Sequence, residues 1–240
     1  RDVKHAVVTS PLFVYYFERV ILGSIDRDSG SSIADSVRAI KKYGVASAHT
    51  WSYPQTSAAL HRKFKVHPPP EAVASGLCNR AVSAHSVDFA DIRQALAMGH
   101  CVNFGLRVTK ELERTGSSGI VTMGGDVIGL HALIICGYDD RADSPTVGRF
   151  VIQNSWGANW GDHGYMYILE SDILKSGLDF HVVLSVCRDD CPDMPADCPA
   201  RMQLRAAGTK TSYELPLVIA VATLTVGIVA ALAVKSRVGA

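Results

Sequence analysis

The sequence has almost no charge imbalance: 24 Lys and Arg stand against 23 Asp and Glu, a formal net charge of +1. That removes the electrostatic basis for a dedicated nucleic-acid binder, so polyanions are not expected partners. The composition of a disordered chain is absent too. With 48% hydrophobic and 20% charged residues over 240 positions, a sizeable core can be buried. No methionine precedes Met98 and the chain opens on Arg1, so the sequence is expected to be part of a longer translation product, and no secretory signal can be read. No Asn-x-Ser/Thr acceptor occurs, which leaves glycosylation silent about the compartment.

One long run free of charge is present, Leu215 to Val234 (LPLVIAVATLTVGIVAALAV). At ~1.5 Å rise per residue, a helix of that length spans a hydrocarbon core of ~30 Å, so a single transmembrane helix is expected there. Pro216 falls in its first turn, where a missing N–H costs little, and Lys235 and Arg237 follow as interfacial anchors. The expectation is a single-pass membrane protein held in the bilayer through residues 215–234, in a cellular endomembrane or a virion membrane. Arg201, Arg205 and Lys210 make the other flank basic as well, so the orientation stays open. Gly227 and Ala231 form a small-xxx-small pair, a weak signal for helix pairing.

Aromatic and glycine punctuation marks residues 1–186 as one globular domain. A Cys/Pro/Asp/Arg-containing linker over 187–214, the anchor and a short basic tail over 235–240 complete the plan. Pro11 to Ile21 and Ser32 to Tyr43 place apolar residues at helical spacing, with Gly44 in the C-cap position of the second. Phe89 to Met98 reads as a third helix, capped by Ser86 or Asp88 and ended by Gly99. The period then changes: Val102 to Leu106, Leu130 to Cys136, Phe150 to Gln153, Tyr165 to Ile168 and His181 to Val186 read as strands. Helices first and antiparallel strands second predict an α+β domain, a helical lobe beside a strand lobe.

Cys187, Cys191 and Cys198 crowd the linker, but a zinc site needs four ligands and tighter pairing, so no metal is expected; disulfides are expected if that side of the membrane is oxidising, with the odd thiol paired outside the cluster or left free. No cofactor is expected either. Cys78, Cys101 and Cys136 fall in or near apolar runs and read as small buried hydrophobes.

Chemistry concentrates between Leu130 and Tyr167. His131 heads a hydrophobic strand, and Asn154 ends the next one after a hairpin-like excursion from Asp139 to Gly148, so the two can meet across adjacent strands. An amide oxygen can accept the imidazole N–H and fix its tautomer without adding charge. The other ring nitrogen is then free to take a proton from a thiol. A thiol of ordinary pKa ~8.5 beside such a ring becomes a thiolate at neutral pH.

The run Asn154-Ser155-Trp156-Gly157, followed by Trp160-Gly161 and Gly164-Tyr165, resembles the C-terminal half of the papain-like cysteine peptidases, the C1 or cathepsin-type family. His131-Ala132-Leu133 matches the family's histidine context, except that Leu130 stands where a small residue is usual, a departure that bears on substrate access. The resemblance implies the papain-like two-lobe fold, with His131 as general base and acid and Asn154 as its orienting partner. Trp156 would shield their hydrogen bond from water, and Gln153 is counted with it as catalytic support. Ser10 to Arg19, Asp28 to Gly44 and Trp51 to Pro54 are similar to the helical lobe of compact bacterial and large-DNA-virus members. By that likeness Ser29, Gly30 and Ser31 offer backbone groups to an extended peptide, the expected partner and substrate, bound between the lobes.

The family's nucleophile, a cysteine at a helix N-terminus with a glutamine shortly before it, has no counterpart here: no cysteine precedes Cys78. Cys136 lies about 17 Å along the strand from His131, and Cys78 lacks helix-dipole support. Two expectations follow. The intact protein is a membrane-anchored cysteine peptidase whose nucleophile lies upstream, and the chain as given is inactive alone. The alternative is a catalytically dead scaffold or peptide-binding structural protein at a membrane.

Overall fold

The computed structural model describes residues 8–54 and 56–185. Contacts divide the described chain into two units, one built on residues up to Ser31 with Asp35–Ala84, the other on Ser32–Ala34 with His85–Val183. The expected linker, anchor, tail and cysteine cluster at Cys187, Cys191 and Cys198 lie outside the described residues. Among those described, no helix is long and apolar enough to cross a membrane.

The first unit is helical: α1 (Pro11–Leu22), most of α2 (Ile33–Tyr43), α3 (Ser57–Lys63) and α4 (Pro70–Leu77). Local signals start and stop α1. Ser10 accepts a hydrogen bond from the Phe13 N–H at 3.2 Å and Pro11 takes the first helical position. Gly23, in the left-handed region, closes the last turn onto the Arg19 and Val20 carbonyls. The helix is buried along most of its length, and Phe17 stacks on Tyr43 with ring centroids 4.1 Å apart.

Close backbone approach fixes α4 against the end of α2. A Cβ on Gly44 would lie 1.7 Å from the Gly76 carbonyl oxygen, and one on Gly76 would lie 2.5 Å from the Phe13 ring. Gly44 also has φ +72°, where a side chain is strained by about 1–2 kcal/mol. Gly44→Ala is therefore expected to lower stability by about 3 kcal/mol or more, read from the urea midpoint. Gly23→Ala, also left-handed but with nothing within 4 Å of its added carbon, should lose only the conformational part, about 1 kcal/mol.

The second unit carries most of an antiparallel sheet in the order β1-β6-β2-β3-β4-β5. Along the chain, β1 (Ala81–Ser86), α5 (Ile92–Ala97), β2 (Val102–Thr109), α6 (Lys110–Glu113) and β3 (Val127–Asp139) come first. Then follow β4 (Arg149–Gln153), β5 (Tyr165–Leu169), α7 (Glu170–Ser176) and β6 (Gly177–Ser185). Phe104, Leu106, Leu133, Ile135, Phe150, Ile152, Met166 and Ile168 fill its core from one face of β2, β3, β4 and β5.

The α+β expectation holds in kind, with several corrections. The strand expected from Leu130 to Cys136 extends over Val127–Asp139, because its ends pair with β2 and β4 beyond the apolar stretch. The helix expected from Phe89 to Met98 is a 3-10 turn (Phe89–Asp91) leading into the short α5, and Asp88 caps it without a side-chain hydrogen bond. The helices α3, α4, α6 and α7 and the strand β1 have no counterpart among the sequence expectations.

Candidate active site

His131 stands on β3, opposite Leu106 of β2, and Asn154 follows the last residue of β4. Their meeting depends on strand register. The pairs Tyr138 with Phe150 and Gly137 with Val151 give way to Ile135 with Ile152 and Ile134 with Gln153, so Cys136 is an extra, bulged residue. Without that bulge the pairing would shift by one, and Asn154 would point to the face opposite His131. With it, Asn154 continues the register opposite Leu133, and His131, two residues along, is its diagonal neighbour on the same face.

The imidazole Nε2 lies 2.9 Å from Asn154 Oδ1 in a buried contact. That oxygen also accepts the Ser155 N–H at 2.7 Å, and the Asn154 backbone N–H donates to the Gly164 carbonyl at 2.9 Å, so the amide oxygen and the backbone that carries it are both held, while Nδ2 is buried with no partner among the described residues. An amide oxygen can only accept, so Nε2 carries the proton. Nδ1 is buried and has no hydrogen-bond partner among the described residues, thiols included. Burial is the dominant influence on the ring, which is 2% exposed. It lowers the His131 pKa to about 4, against a smaller upward pull from Asn154. The side chain is thus a neutral imidazole with its basic nitrogen unoccupied, able to remove a proton from an acid placed before it.

Trp156 covers this pair. Its indole stacks on the imidazole at 5.0 Å with an 18° interplanar angle. Trp160 packs edge-on against Trp156 at 4.9 Å, and is itself held by its indole N–H donating to the Glu113 carbonyl at 3.2 Å. The role of Trp160 was not foreseen. Its signal was present in the second Trp-Gly step of the motif, but only the packing shows that it braces the first indole.

The structure brings together His131, Asn154 and Trp156 and leaves Gln153 out. Gln153 is exposed, because it alternates with the buried Ile152 and Asn154 and so faces away from them. Its side chain is therefore not in the buried cluster of His131, Asn154 and Trp156. Leu130, next to His131 in the chain, is 55% exposed. Ser29, Gly30 and Ser31 belong to the helical unit, where Gly30 takes the left-handed conformation (φ +69°). Among the described residues no group of three His, Cys, Asp or Glu could hold a metal ion.

Of the described cysteines, Cys78 is buried as expected, whereas Cys101 and Cys136 are half-buried. Cys136 donates to the Val151 carbonyl at 3.3 Å, and burial pushes it up to about 12. Cys101 is pushed up by burial as well, and Cys78 is buried at the end of α4.

The family model of the papain family cysteine proteases matches residues 28–185. The chain belongs to the papain family. Within it, the chain is 29% identical over 203 residues to the uncharacterized peptidase C1-like protein L477 of Acanthamoeba polyphaga mimivirus, covering 76% of this chain and 61% of that protein. A viral cathepsin of Spodoptera litura multicapsid nucleopolyhedrovirus is 30% identical over 94 residues, 32% of this chain and 27% of the cathepsin. Among solved structures, xylellain, a cysteine protease from Xylella fastidiosa, superposes with a TM-score of 0.64 at 27% identity, covering 73% of this chain and 69% of xylellain. The chain thus spans about three-fifths of the mimivirus protein's length. Its papain-like α+β fold and its relatives among viral and bacterial proteases agree with the resemblance carried by the Asn-Ser-Trp-Gly run.

Proposed function

We propose that the intact protein is a cysteine-type peptidase, anchored in a membrane through residues 215–234, whose nucleophilic cysteine is encoded upstream of Arg1. The observation that carries this reading is the buried His131 ring, held by Asn154 at Nε2 and unpartnered at Nδ1. A scaffold has no use for a basic nitrogen kept dry and pre-oriented, whereas a thiol nucleophile needs one.

In the proposed cycle the upstream thiol gives its proton to Nδ1 of His131. The resulting thiolate attacks the carbonyl carbon of an extended peptide, forming a tetrahedral adduct. Collapse of the adduct breaks the C–N bond as His131 returns the proton to the leaving amine. A water, deprotonated by the same nitrogen, then hydrolyses the thioester. Asn154 keeps the ring pointed at this traffic through both half-reactions, and Trp156 keeps water from competing for Oδ1. The imidazolium formed on the way is costly in so buried a place unless the thiolate stands beside it, which couples the two charges.

Full-length protein, including the segment upstream of Arg1, should be alkylated at one cysteine by a peptidyl epoxide. Hydrolysis of a peptide library should cease in step, and the protein should stay with membranes after an alkaline wash. Mass spectrometry of the labelled protein locates the thiol. Absence of any labelled upstream cysteine would sink the peptidase reading and leave the scaffold.

A further inference from the structure

The helical unit holds a buried carboxylate arrangement, distinct from the His131–Asn154 pair. Glu18 of α1 is 1% exposed, one helical turn beyond Tyr15 on the same face. Together these side chains reach the turn Asp28–Ser31. The Tyr15 hydroxyl donates to Asp28 Oδ1 and accepts the Gly30 N–H at 3.3 Å. Ser24, just past α1, shares a 2.9 Å hydroxyl contact with Ser29. The Ser31 hydroxyl donates to Glu18 Oε2 at 2.5 Å, and Ser36 of α2 donates to the other oxygen, Oε1, at 2.5 Å. Every residue of the turn is therefore tied to α1 or its end, and Glu18 joins the turn to α2.

We propose that Glu18 is a positioning residue: its ionised carboxylate draws in the Ser31 hydroxyl and so sets the Asp28–Ser31 turn in the shape that receives an extended peptide. The inference rests on the peptidase reading, which assigns that turn to the substrate. Glu18 itself touches no substrate and acts through Ser31.

The charge state of Glu18 decides the strength of the brace. Burial pushes its pKa up to about 7. The Ser31 and Ser36 hydrogen bonds pull it down, the nearby Asp35 of α2 adds to the rise, and Arg19 opposes it. Arg19 is not its ion-pair partner, because the guanidinium donates to the Ile25 and Phe64 carbonyls and lies over the Tyr15 and Phe64 rings. Above pH 7 both hydroxyls donate to a carboxylate. Below it, one oxygen carries a proton, one hydroxyl must accept instead, and the charge-assisted bond becomes a neutral one of about half the strength.

Stability moves the opposite way. The folded pKa lies above the ordinary carboxylate value, so between about 4.5 and 7 the folded chain binds more protons than the unfolded one. Its stability therefore falls as pH rises through that window. A buried glutamate that served only packing would show the same stability slope but would leave the turn and KM unchanged with pH.

The test uses full-length wild type, Glu18→Gln and Ser31→Ala, with peptide hydrolysis followed from about pH 5.5 to 8.5 and hydrogen exchange of residues 28–32 measured on the same material. In wild type, KM should rise about fivefold below pH 7, with kcat following its own profile. Glu18→Gln, a fixed neutral analogue, should hold the high KM at every pH, exchange about fivefold faster in the turn near pH 8, and lose the stability slope. Ser31→Ala removes a donor to the carboxylate, so the midpoint of any remaining KM dependence should move upward. It carries the test if Glu18→Gln does not fold. Unchanged exchange and an unchanged KM profile in both variants would overturn the proposal. If none of the three proteins cleaves peptide, the peptidase reading falls, while faster exchange in Glu18→Gln still upholds the brace and unchanged exchange removes it.

Discussion

Full-length His131→Ala should lose peptide hydrolysis by about a thousandfold or more in kcat, with KM little changed, since in the proposed cycle the ring exchanges protons in both half-reactions. The same substitution should alter the acid stability of the protein. In the folded chain the ring titrates at about 4, against about 6.5 when unfolded, because burial disfavours its charged form. Between those values the unfolded chain binds the extra proton. The ring's contribution is thus fully present above about pH 6.5 and is lost as pH falls through 4, amounting to at most about 3 kcal/mol. His131→Ala should flatten that part of the stability profile of the chain, measured by urea unfolding between about pH 4 and 7. A variant that keeps full activity would remove His131 from the chemistry. One that keeps the acid slope would mean that the ring is not buried as described.

Asn154→Ala should lower kcat roughly ten- to a hundredfold, a smaller loss than at His131, because the base survives but its orientation does not. Asn154 Oδ1 is the only hydrogen-bond partner of the imidazole among the described residues, and it in turn is held by the Ser155 N–H. Without it either tautomer and either ring flip becomes accessible, and only a fraction of molecules present a basic Nδ1 to the thiol. Asn154→Asp should restore orientation while placing a negative charge 2.9 Å from Nε2, so the ring pKa should move up from about 4. Proton NMR of the imidazole in the two variants separates the effects: a free ring in one, a charged ring in the other. If Asn154→Ala leaves kcat and the ring signals as in wild type, the orienting role is refuted.

The legible parts of the fold were those that local chemistry punctuates. The α1 and α2 helices could be read because Ser10, Pro11 and Gly44 are caps and stops that act within a few residues. Short elements escaped for the opposite reason. Seven or eight residues, as in α3 and α4, show too few turns for an apolar period, and what secures α4 is a backbone approach to Gly44 that has no local signature. The β6 strand begins at Gly177 and passes through Asp179 at φ +56°, which breaks the alternation that marks a strand.

In the site, the pleat separates residues that are neighbours along the chain. Gln153 adjoins Asn154 in sequence yet faces the other way, whereas Trp160, four residues past Trp156, packs against it. Glu18 carried no catalytic signature at all. A glutamate in an otherwise apolar helix face becomes informative only when the hydroxyls of Ser31 and Ser36 are seen to converge on it.

What the sequence determined by itself was the family pattern: an imidazole, a carboxamide and an indole in the arrangement of the papain family. Tertiary structure decided whether those groups could meet. The deciding feature is the single extra residue at Cys136, which shifts the β3–β4 register by one and turns Asn154 onto the face of His131. Side chains alternate with period two along a strand, so a one-residue slip in pairing moves a residue to the other side of the sheet, and that slip is set by the neighbouring strand.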